Sequence, residues 1–274
     1  MPSNRSCWPF RKDWTVNMKA KEITSVIEEF APLAYQEKWD NSGYCIGSPE
    51  QEVHSAVVAL DCTPYLVDQA VEMGADMIIT HHPLIFGGVA KISPETNLGY
   101  MIYKAIQHNI VVYSSHTNMD KVIEGVSGLM AARLGLKDVE VLVKGEHGEG
   151  LGVTGWLEEA VEDRDFARIV KEKFSLRQMR CSVPAGRMIR KVALCGGSGK
   201  SLIRDAVASG ADAYITGDIS YHEFMTENGF FLMDIGHYEG EIDIVERISD
   251  ILKEKIPTFA VRVIRENNHL VYYI

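Results

Sequence analysis

The stretch that decides the fold reads VALDCTPYLVDQAVEMGADMIIT, residues 58–80. It opens with a short apolar run, and Thr63-Pro64 then suits the N-cap and first position of a helix that Gly74 ends. Apolar residues between them recur at helical spacing, and Met77–Thr80 has the composition of a strand. The segment therefore predicts a βαβ unit, two parallel strands connected by a helix.

The same order of elements recurs in VALCGGSGKSLIRDAVASGADAYIT, residues 192–216, where Gly210 takes the place of Gly74. In each copy a further helix and strand lead to a histidine that is followed four residues later by a carboxylate. These pairs are His116 with Asp120 and His237 with Glu241. An internal repeat of this kind predicts an α/β fold with two related lobes, each built on a largely parallel sheet.

The repeat divides the chain into segments. We predict a disordered leader at residues 1–17, a first α/β lobe at 18–140 and a second α/β lobe at 150–274. The polar, Gly-rich stretch 144–152 is typical of a linker between lobes. At the other end, alternating apolar residues in 259–263, a turn signal at Asn267-Asn268 and the β-rich run 270–274 predict a terminal hairpin.

Composition narrows the classes of function. With 38 acidic and 28 basic residues the net charge is −10, which argues against general nucleic-acid binding and favours a small molecule or a protein as the partner. We predict a small-molecule substrate. No apolar run approaches the roughly 20 residues of a membrane helix, so we expect no membrane association. The five cysteines are scattered and form no CxxC pair, which argues against a disulfide framework or a thiolate zinc site. We therefore predict a cytoplasmic protein.

Histidines and carboxylates follow three of the predicted strands, where ligands of α/β proteins bind. Five of them are candidate metal ligands: His81, His82, Asp120, His237 and Glu241. Imidazole and carboxylate ligands without thiolates suit zinc, iron, manganese or cobalt. The set is too large for one ion, and adjacent side chains of an extended chain point to opposite sides, so His81 and His82 would bind neighbouring ions. The prediction is two divalent metal ions per chain.

His116 occupies the repeat position of His237, and its role stays open between direct ligation and a position behind the ligands. We predict a catalytic role for it as a proton carrier. Asp61 follows the first strand of the repeat, where it could line the same cleft as the candidate ligands, although we expect it to cap the next helix.

A glycine-rich turn precedes the helix of the second copy; it consists of Gly196, Gly197, Ser198 and Gly199. Leu194 stands where a P-loop requires glycine, so the Walker pattern is incomplete. Backbone N–H groups at the helix start could instead hold an anionic part of a substrate, or the glycines could serve only a tight turn. We predict a binding role for the four residues.

Several motifs together resemble a known family. They are Trp39-Asp40-Asn41-Ser42-Gly43, the run 79–86 with its paired histidines, His116-Thr117-Asn118-Met119-Asp120, Cys195-Gly196-Gly197-Ser198-Gly199, and Ile215-Thr216-Gly217-Asp218 followed by His237 and Glu241. The chain resembles the NIF-three-like (Ngg-one-interacting-factor-three-like) family, whose members are often called GTP cyclohydrolase 1 type 2 homologues. The resemblance covers about residues 18–274.

This resemblance implies a dinuclear divalent-metal centre in a cleft between two α/β lobes, and ring-shaped homo-oligomers, commonly hexamers. It implies that the same five candidates are the metal ligands, with Glu241 bridging the ions. Some family members carry an extra domain between the lobes, for which this chain is too short.

Two hypotheses describe the function. The first is a dinuclear-metal hydrolase in which His116 moves a proton; the resemblance adds GTP as the substrate, with attack on C8 of the guanine ring and release of formate. The second is a metal-binding scaffold or regulatory protein without turnover.

Overall fold

The computed structural model describes residues 17–272, so that the predicted leader, apart from Asn17, lies outside the described residues. The strands are β1 (Met18–Lys19), β2 (Gly43–Ile46), β3 (Glu52–Val53), β4 (Ser55–Ala59), β5 (Met77–Thr80), β6 (Val111–Ser114), β7 (Lys137–Lys144), β8 (Gly150–Glu162), β9 (Arg180–Cys181), β10 (Met188–Leu194), β11 (Ala213–Thr216), β12 (Phe231–Asp234) and β13 (Ala260–Val263). The α-helices are α1 (Ala20–Phe30), α2 (Pro64–Met73), α3 (Asn97–Gln107), α4 (Thr117–Asp120), α5 (Val126–Leu134), α6 (Asp163–Lys173), α7 (Ile203–Ala208), α8 (His237–Glu241) and α9 (Asp243–Lys255).

The described chain forms two compact units, one of residues 17–118 with 245–272 and one of residues 119–244. The first unit contains a five-stranded sheet in the order β13-β4-β5-β6-β2, in which only the edge strand β2 is antiparallel. Strands β4, β5 and β6 are buried along their whole length, as the continuous apolar runs of a covered parallel sheet require.

The predicted βαβ unit is confirmed in the first unit. Thr63 caps α2, since its hydroxyl oxygen accepts a hydrogen bond from the N–H of Leu66 at 3.1 Å. Gly74 ends the helix at φ 68°, a left-handed conformation that favours glycine. Strand β5 then runs parallel to β4. The loops after β4, β5 and β6, which carry candidate site residues of this unit, lie at the edge of the sheet where these strands end.

The second unit contains a six-stranded sheet in the order β7-β8-β10-β11-β12-β9. Its central strands β10, β11 and β12 are parallel and repeat the arrangement of the first unit, whereas β7, β8 and β9 are antiparallel. The α/β fold class predicted from the repeat is therefore confirmed. The stretch 144–152 is not a linker: Lys144 pairs with Gly150 across a β-hairpin inside this unit.

The end of the described chain differs from the predicted terminal hairpin. Strand β13 runs parallel to β4 and joins the first sheet, and residues 264–272 form no further strand. Residues 273 and 274 of the predicted hairpin lie outside the described residues. The predicted lobe bounds, 18–140 and 150–274, stay a prediction, although β13 adds the last described strand to the sheet of the first unit. Between residues 17 and 272, none of the helices combines the length and the apolar character needed to cross a bilayer.

Candidate metal centre

The first unit gathers three imidazoles at the ends of neighbouring parallel strands. His81 and His82 directly follow β5, and His116 lies two residues beyond β6. One ring nitrogen from each lies within 4.8 Å of the others, and the three ring centroids are 5.0 to 5.4 Å apart. Three imidazoles at this spacing could ligate a shared cation.

An oxygen acceptor holds Nδ1 of each ring. His81 Nδ1 lies 2.9 Å from the carbonyl oxygen of Ser115, and His82 Nδ1 lies 2.8 Å from Asp61 Oδ1. His116 Nδ1 lies 2.7 Å from Asp40 Oδ1. Because a carbonyl or an ionised carboxylate only accepts, we assign the hydrogen to Nδ1 and the lone pair to Nε2. Metal-binding histidines are oriented in this way by their outer partners.

Asp40 is the most firmly fixed of these acceptors. Its Oδ2 accepts hydrogen bonds from the Thr117 hydroxyl, from the Thr117 N–H at 3.1 Å and from the Ser42 hydroxyl at 2.9 Å. Burial raises the pKa of Asp40, but hydrogen bonds from His116 and Thr117 outweigh it and hold that pKa well below its ordinary value. Asp40 is therefore ionised at neutral pH, as an acceptor for the His116 N–H must be.

The second unit brings Asp120, His237 and Glu241 together. Helix α8 begins at His237 and ends at Glu241, so the two side chains lie on one helix face, with His237 Nε2 3.1 Å from Glu241 Oε2. A ligand atom of Asp120 lies within 4.8 Å of one of Glu241. His237 Nδ1 is 2.8 Å from Asp218 Oδ2, the same arrangement as in the first unit.

Asp218 adopts φ 56°, a conformation that is uncommon for residues other than glycine. It follows β11 by two residues, so the strained turn directs its carboxylate toward His237. Such backbone conformations cluster at functional sites.

The glycine-rich turn packs against Glu241. A Cβ built on Gly197 would lie 2.0 Å from Glu241 Oε1, and Gly197 adopts φ 59°. A Cβ on Gly196 would lie 2.2 Å from the side chain of Val126. The N–H of Gly199 donates to the Thr216 hydroxyl at 2.9 Å, while the side chain of Ser198 is not part of this contact. These glycines let the backbone approach a candidate ligand closely, and the predicted anion binding by this turn stays a prediction.

The sequence interpretation missed the acceptors behind the histidines. Asp61 does not cap α2 as expected, because Thr63 does so and the carboxylate of Asp61 binds His82. Asp40 and Asp218 lie within the quoted motifs without an assigned role. The available signal was that both residues lie in short polar motifs, one of them close to the end of a predicted strand. The sequence did not show that they pair with histidines far along the chain.

Burial raises the pKa of Cys62 and of Cys195 to about 12. Both are therefore protonated thiols at neutral pH when no metal is bound.

A mixed α/β fold with oriented histidines and carboxylates at strand ends defines a candidate metalloprotein. The Duf34/NIF3 (NGG1p interacting factor 3) family matches residues 18–269, and the chain belongs to this family. It is 36% identical over 231 residues to a GTP cyclohydrolase 1 type 2 homolog of Clostridium acetobutylicum, covering 82% of this chain and 86% of the relative. A protein of the same name from Streptococcus pneumoniae is 34% identical over 243 residues, covering 86% and 91%.

One solved structure is similar to this chain over most of its length. The crystal structure of the Staphylococcus aureus protein SA1388 has a TM-score of 0.86 and 27% identity, and the match covers 94% of this chain and 99% of that chain. The family resemblance predicted from the sequence motifs is confirmed.

Proposed function

We propose that this protein binds two divalent cations, zinc, iron or manganese, and uses them to hydrolyse a small-molecule substrate. The ligands would be His81 and His82 of the first unit and Asp120, His237 and Glu241 of the second. The observation that carries the proposal is that His81, His82 and His237 each have Nδ1 on an oxygen acceptor, which leaves the lone pair at Nε2, the atom that would bind a metal.

The donor set fits divalent cations of this kind. Neutral imidazoles alone leave the charge of two cations uncompensated, and Asp120 with Glu241 would supply two negative charges. A carboxylate can bridge two ions, which is the role we propose for Glu241. That both sets of residues serve one dinuclear centre is part of the proposal, and its support is their matched position in the internal repeat.

Two bound cations would supply an acidified water and polarise the substrate. His116 is the residue that we propose to move a proton. With the hydrogen at Nδ1 donated to Asp40, Nε2 is the basic atom and can accept a proton. The imidazolium would then lie beside an ionised carboxylate that stabilises it, as in other histidine–aspartate pairs.

We propose a nucleotide, with GTP as the first candidate, as the substrate class. Two aromatic side chains beside His116 support it: the Trp39 and Phe86 rings lie 6.0 and 5.5 Å from its ring, centroid to centroid. Trp39 is 63% exposed and Phe86 is 55% exposed, so both rings are accessible from solvent. A planar base could stack on such rings. The names of the relatives are consistent with this substrate.

The test is metal-dependent turnover by the purified full chain. Metal-loaded protein would be offered GTP and a set of generic phosphoesters, with formate and phosphate as the measured products. We expect formate release that requires metal and that His82→Ala abolishes. His54→Ala is the matched control, because His54 is exposed and pairs with Asp76 away from the candidate ligands. Tightly bound metal without turnover on any substrate would contradict the hydrolase and favour the scaffold.

We also propose that the protein is a cytoplasmic homohexamer. Three apolar side chains of the second unit, Val183, Tyr221 and Met225, are more than 80% exposed, as in surfaces that other subunits cover. The cysteines of the described chain are free thiols, which fits a reducing compartment. Light scattering during size-exclusion chromatography would measure the mass, and a monomer at micromolar concentration would contradict the assembly.

A further inference from the structure

Asn268 is a buried polar residue of the first unit that the proposed chemistry does not use. Its side chain is 1% exposed and follows a turn in which Asn267 adopts φ 51°. Oδ1 accepts hydrogen bonds from the N–H groups of Leu60 at 3.1 Å and Asp61 at 3.0 Å. Nδ2 donates to the carbonyl oxygen of Asp61 at 2.7 Å. One amide side chain therefore satisfies three backbone groups that are far away along the chain.

These hydrogen bonds extend the pairing of two strands by means of a side chain. Strand β13 pairs with β4 up to Val263, and the N–H of Ile264 donates to the carbonyl oxygen of Val58 at 2.9 Å. The backbone then turns away, and the amide of Asn268 pairs with the next residues beyond the end of β4. The loop after β4 is thus fixed by Asn268.

The two residues that Asn268 fixes both hold His82 by a hydrogen bond. The carbonyl oxygen of Leu60 accepts a hydrogen bond from the backbone N–H of His82 at 3.0 Å. Asp61 Oδ1 lies 2.8 Å from His82 Nδ1. Both the backbone and the ring of His82 therefore depend on a loop whose position Asn268 sets.

The other two histidines of the cluster, His81 and His116, have different supports. Ser115 holds the ring of His81, and Asp40 holds the ring of His116, and neither support contacts Asn268 through a described hydrogen bond. A change at Asn268 should consequently affect His82 more than its neighbours.

We propose that Asn268 is a positioning residue for His82: it holds Leu60 and Asp61 so that the His82 ring keeps its hydrogen at Nδ1 and directs Nε2 to a cation. That Nε2 binds a cation rests on the proposed function, whereas the orientation of the ring does not. The chemistry of an amide is required, because the site needs an acceptor for two N–H groups and a donor for one carbonyl.

Two substitutions separate these requirements. Asn268→Leu removes the acceptor and the donor and leaves two buried N–H groups without a partner. Asn268→Asp keeps the acceptor but places a carboxylate oxygen against the carbonyl oxygen of Asp61. Asn267→Gly is the matched control, since Asn267 is the exposed neighbour and glycine tolerates its positive φ.

The first measurement is nitrogen NMR of the histidine rings in the full chain after metal removal, at about pH 8 where imidazole is neutral. The His82 signals would be assigned from His82→Ala. We expect the Nδ1–H tautomer of His82 in the wild type and in Asn267→Gly, and a mixture of tautomers in Asn268→Leu, with His81 and His116 unchanged. Asn268→Asp should be intermediate.

The second measurement is cation affinity, determined by competition with a chelator and elemental analysis with zinc as the probe. We expect Asn268→Leu to weaken the binding of one of the two ions by about 10–100-fold, as loss of outer partners of metal ligands does. A folded Asn268→Leu with wild-type tautomer and wild-type affinity would overturn the inference. If that variant does not fold, the tautomer of His82 in Asn268→Asp decides instead. The His82 tautomer could change in Asn268→Leu as expected while the wild type binds no cation. That result would support the positioning role and refute the proposed function.

Discussion

A side chain at Gly197 should displace Glu241, and Gly197→Ala therefore tests how the carboxylate of the second unit is positioned. The Cβ of alanine would lie 2.0 Å from Glu241 Oε1, while side-chain carbons essentially never approach a neighbour closer than 3.0 Å. The glutamate oxygen would have to retreat by about 1 Å. Metal–ligand distances tolerate only about 0.2 Å, so an oxygen displaced by this much could not serve as the proposed ligand in the same place.

The expected magnitudes follow from this geometry. Loss of an outer contact alone weakens metal binding by about 10–100-fold, and displacement of a ligand should cost at least as much. Gly197 also adopts φ 59°, where a residue with a Cβ loses about 1–2 kcal/mol of folding free energy. The fold should tolerate that cost, because proteins of this size are stable by about 5–15 kcal/mol.

Gly210→Ala is the control that separates strain from displacement. Gly210 belongs to the same unit and adopts φ 75°, but no atom lies within 4 Å of a Cβ built on it. Both variants should lose folding free energy to the positive φ in urea titrations, with a larger loss for Gly197→Ala because Glu241 must also move. Only Gly197→Ala should lose cation affinity in competition with a chelator. Equal affinities for the two variants would refute the reasoning.

Three other substitutions or treatments test the supports of the fold and site. Burial raises the pKa of Asp40, but its hydrogen bonds lower that pKa by more, so the pKa in the folded state lies below the ordinary value. The ionised carboxylate therefore stabilises the fold at neutral pH, and this stabilisation is lost as the pH falls below about 4 toward the folded-state pKa. Urea midpoints of wild type and Asp40→Asn should therefore converge in acid, and a pH-independent difference would count against the assigned bonds. Thr63→Ala should cost about 1 kcal/mol of unfolding free energy, and an unchanged value would exclude the cap. Iodoacetamide should modify exposed Cys181 in the folded chain and buried Cys195 only after unfolding, as site-resolved mass spectrometry can check; equal rates would disagree with the burial.

The sequence predicted the parts of the fold that depend on local pattern. Helix α2 has its cap, its apolar face and its terminal glycine within a few residues, so each signal agrees with the others. Histidines directly after buried strands were also recognisable, because residue type and place in the chain suffice to find them.

The prediction of a terminal hairpin was wrong for the described residues. The run 270–274 has high strand propensity, but propensity is a weak guide once tertiary contacts compete with it. Here β13 pairs with β4, and Asn268 is buried against the backbone of Leu60 and Asp61. The turn signal at Asn267-Asn268 correctly predicted a turn, but it gave no information on whether a second strand comes after that turn.

The partners of the histidines could not be predicted for a related reason. Asp40 and His116 are 76 residues apart, and Asp61 and His82 are 21 residues apart. No periodicity connects such pairs; they meet because β4, β5 and β6 end, and the antiparallel strand β2 begins, at the same edge of a sheet. The sequence showed the candidate ligands, and the fold was needed to show what orients them.

The claim that matters most is that the chain binds two divalent cations through the Nε2 atoms of His81, His82 and His237 and the carboxylates of Asp120 and Glu241. Crystals of the metal-loaded full chain, measured on both sides of the metal absorption edge, would test it directly. We expect two anomalous-scattering peaks per chain, each about 2.0–2.2 Å from these nitrogen and oxygen atoms. Peaks held by other residues, or saturating metal with no peak at these side chains, would contradict the claim.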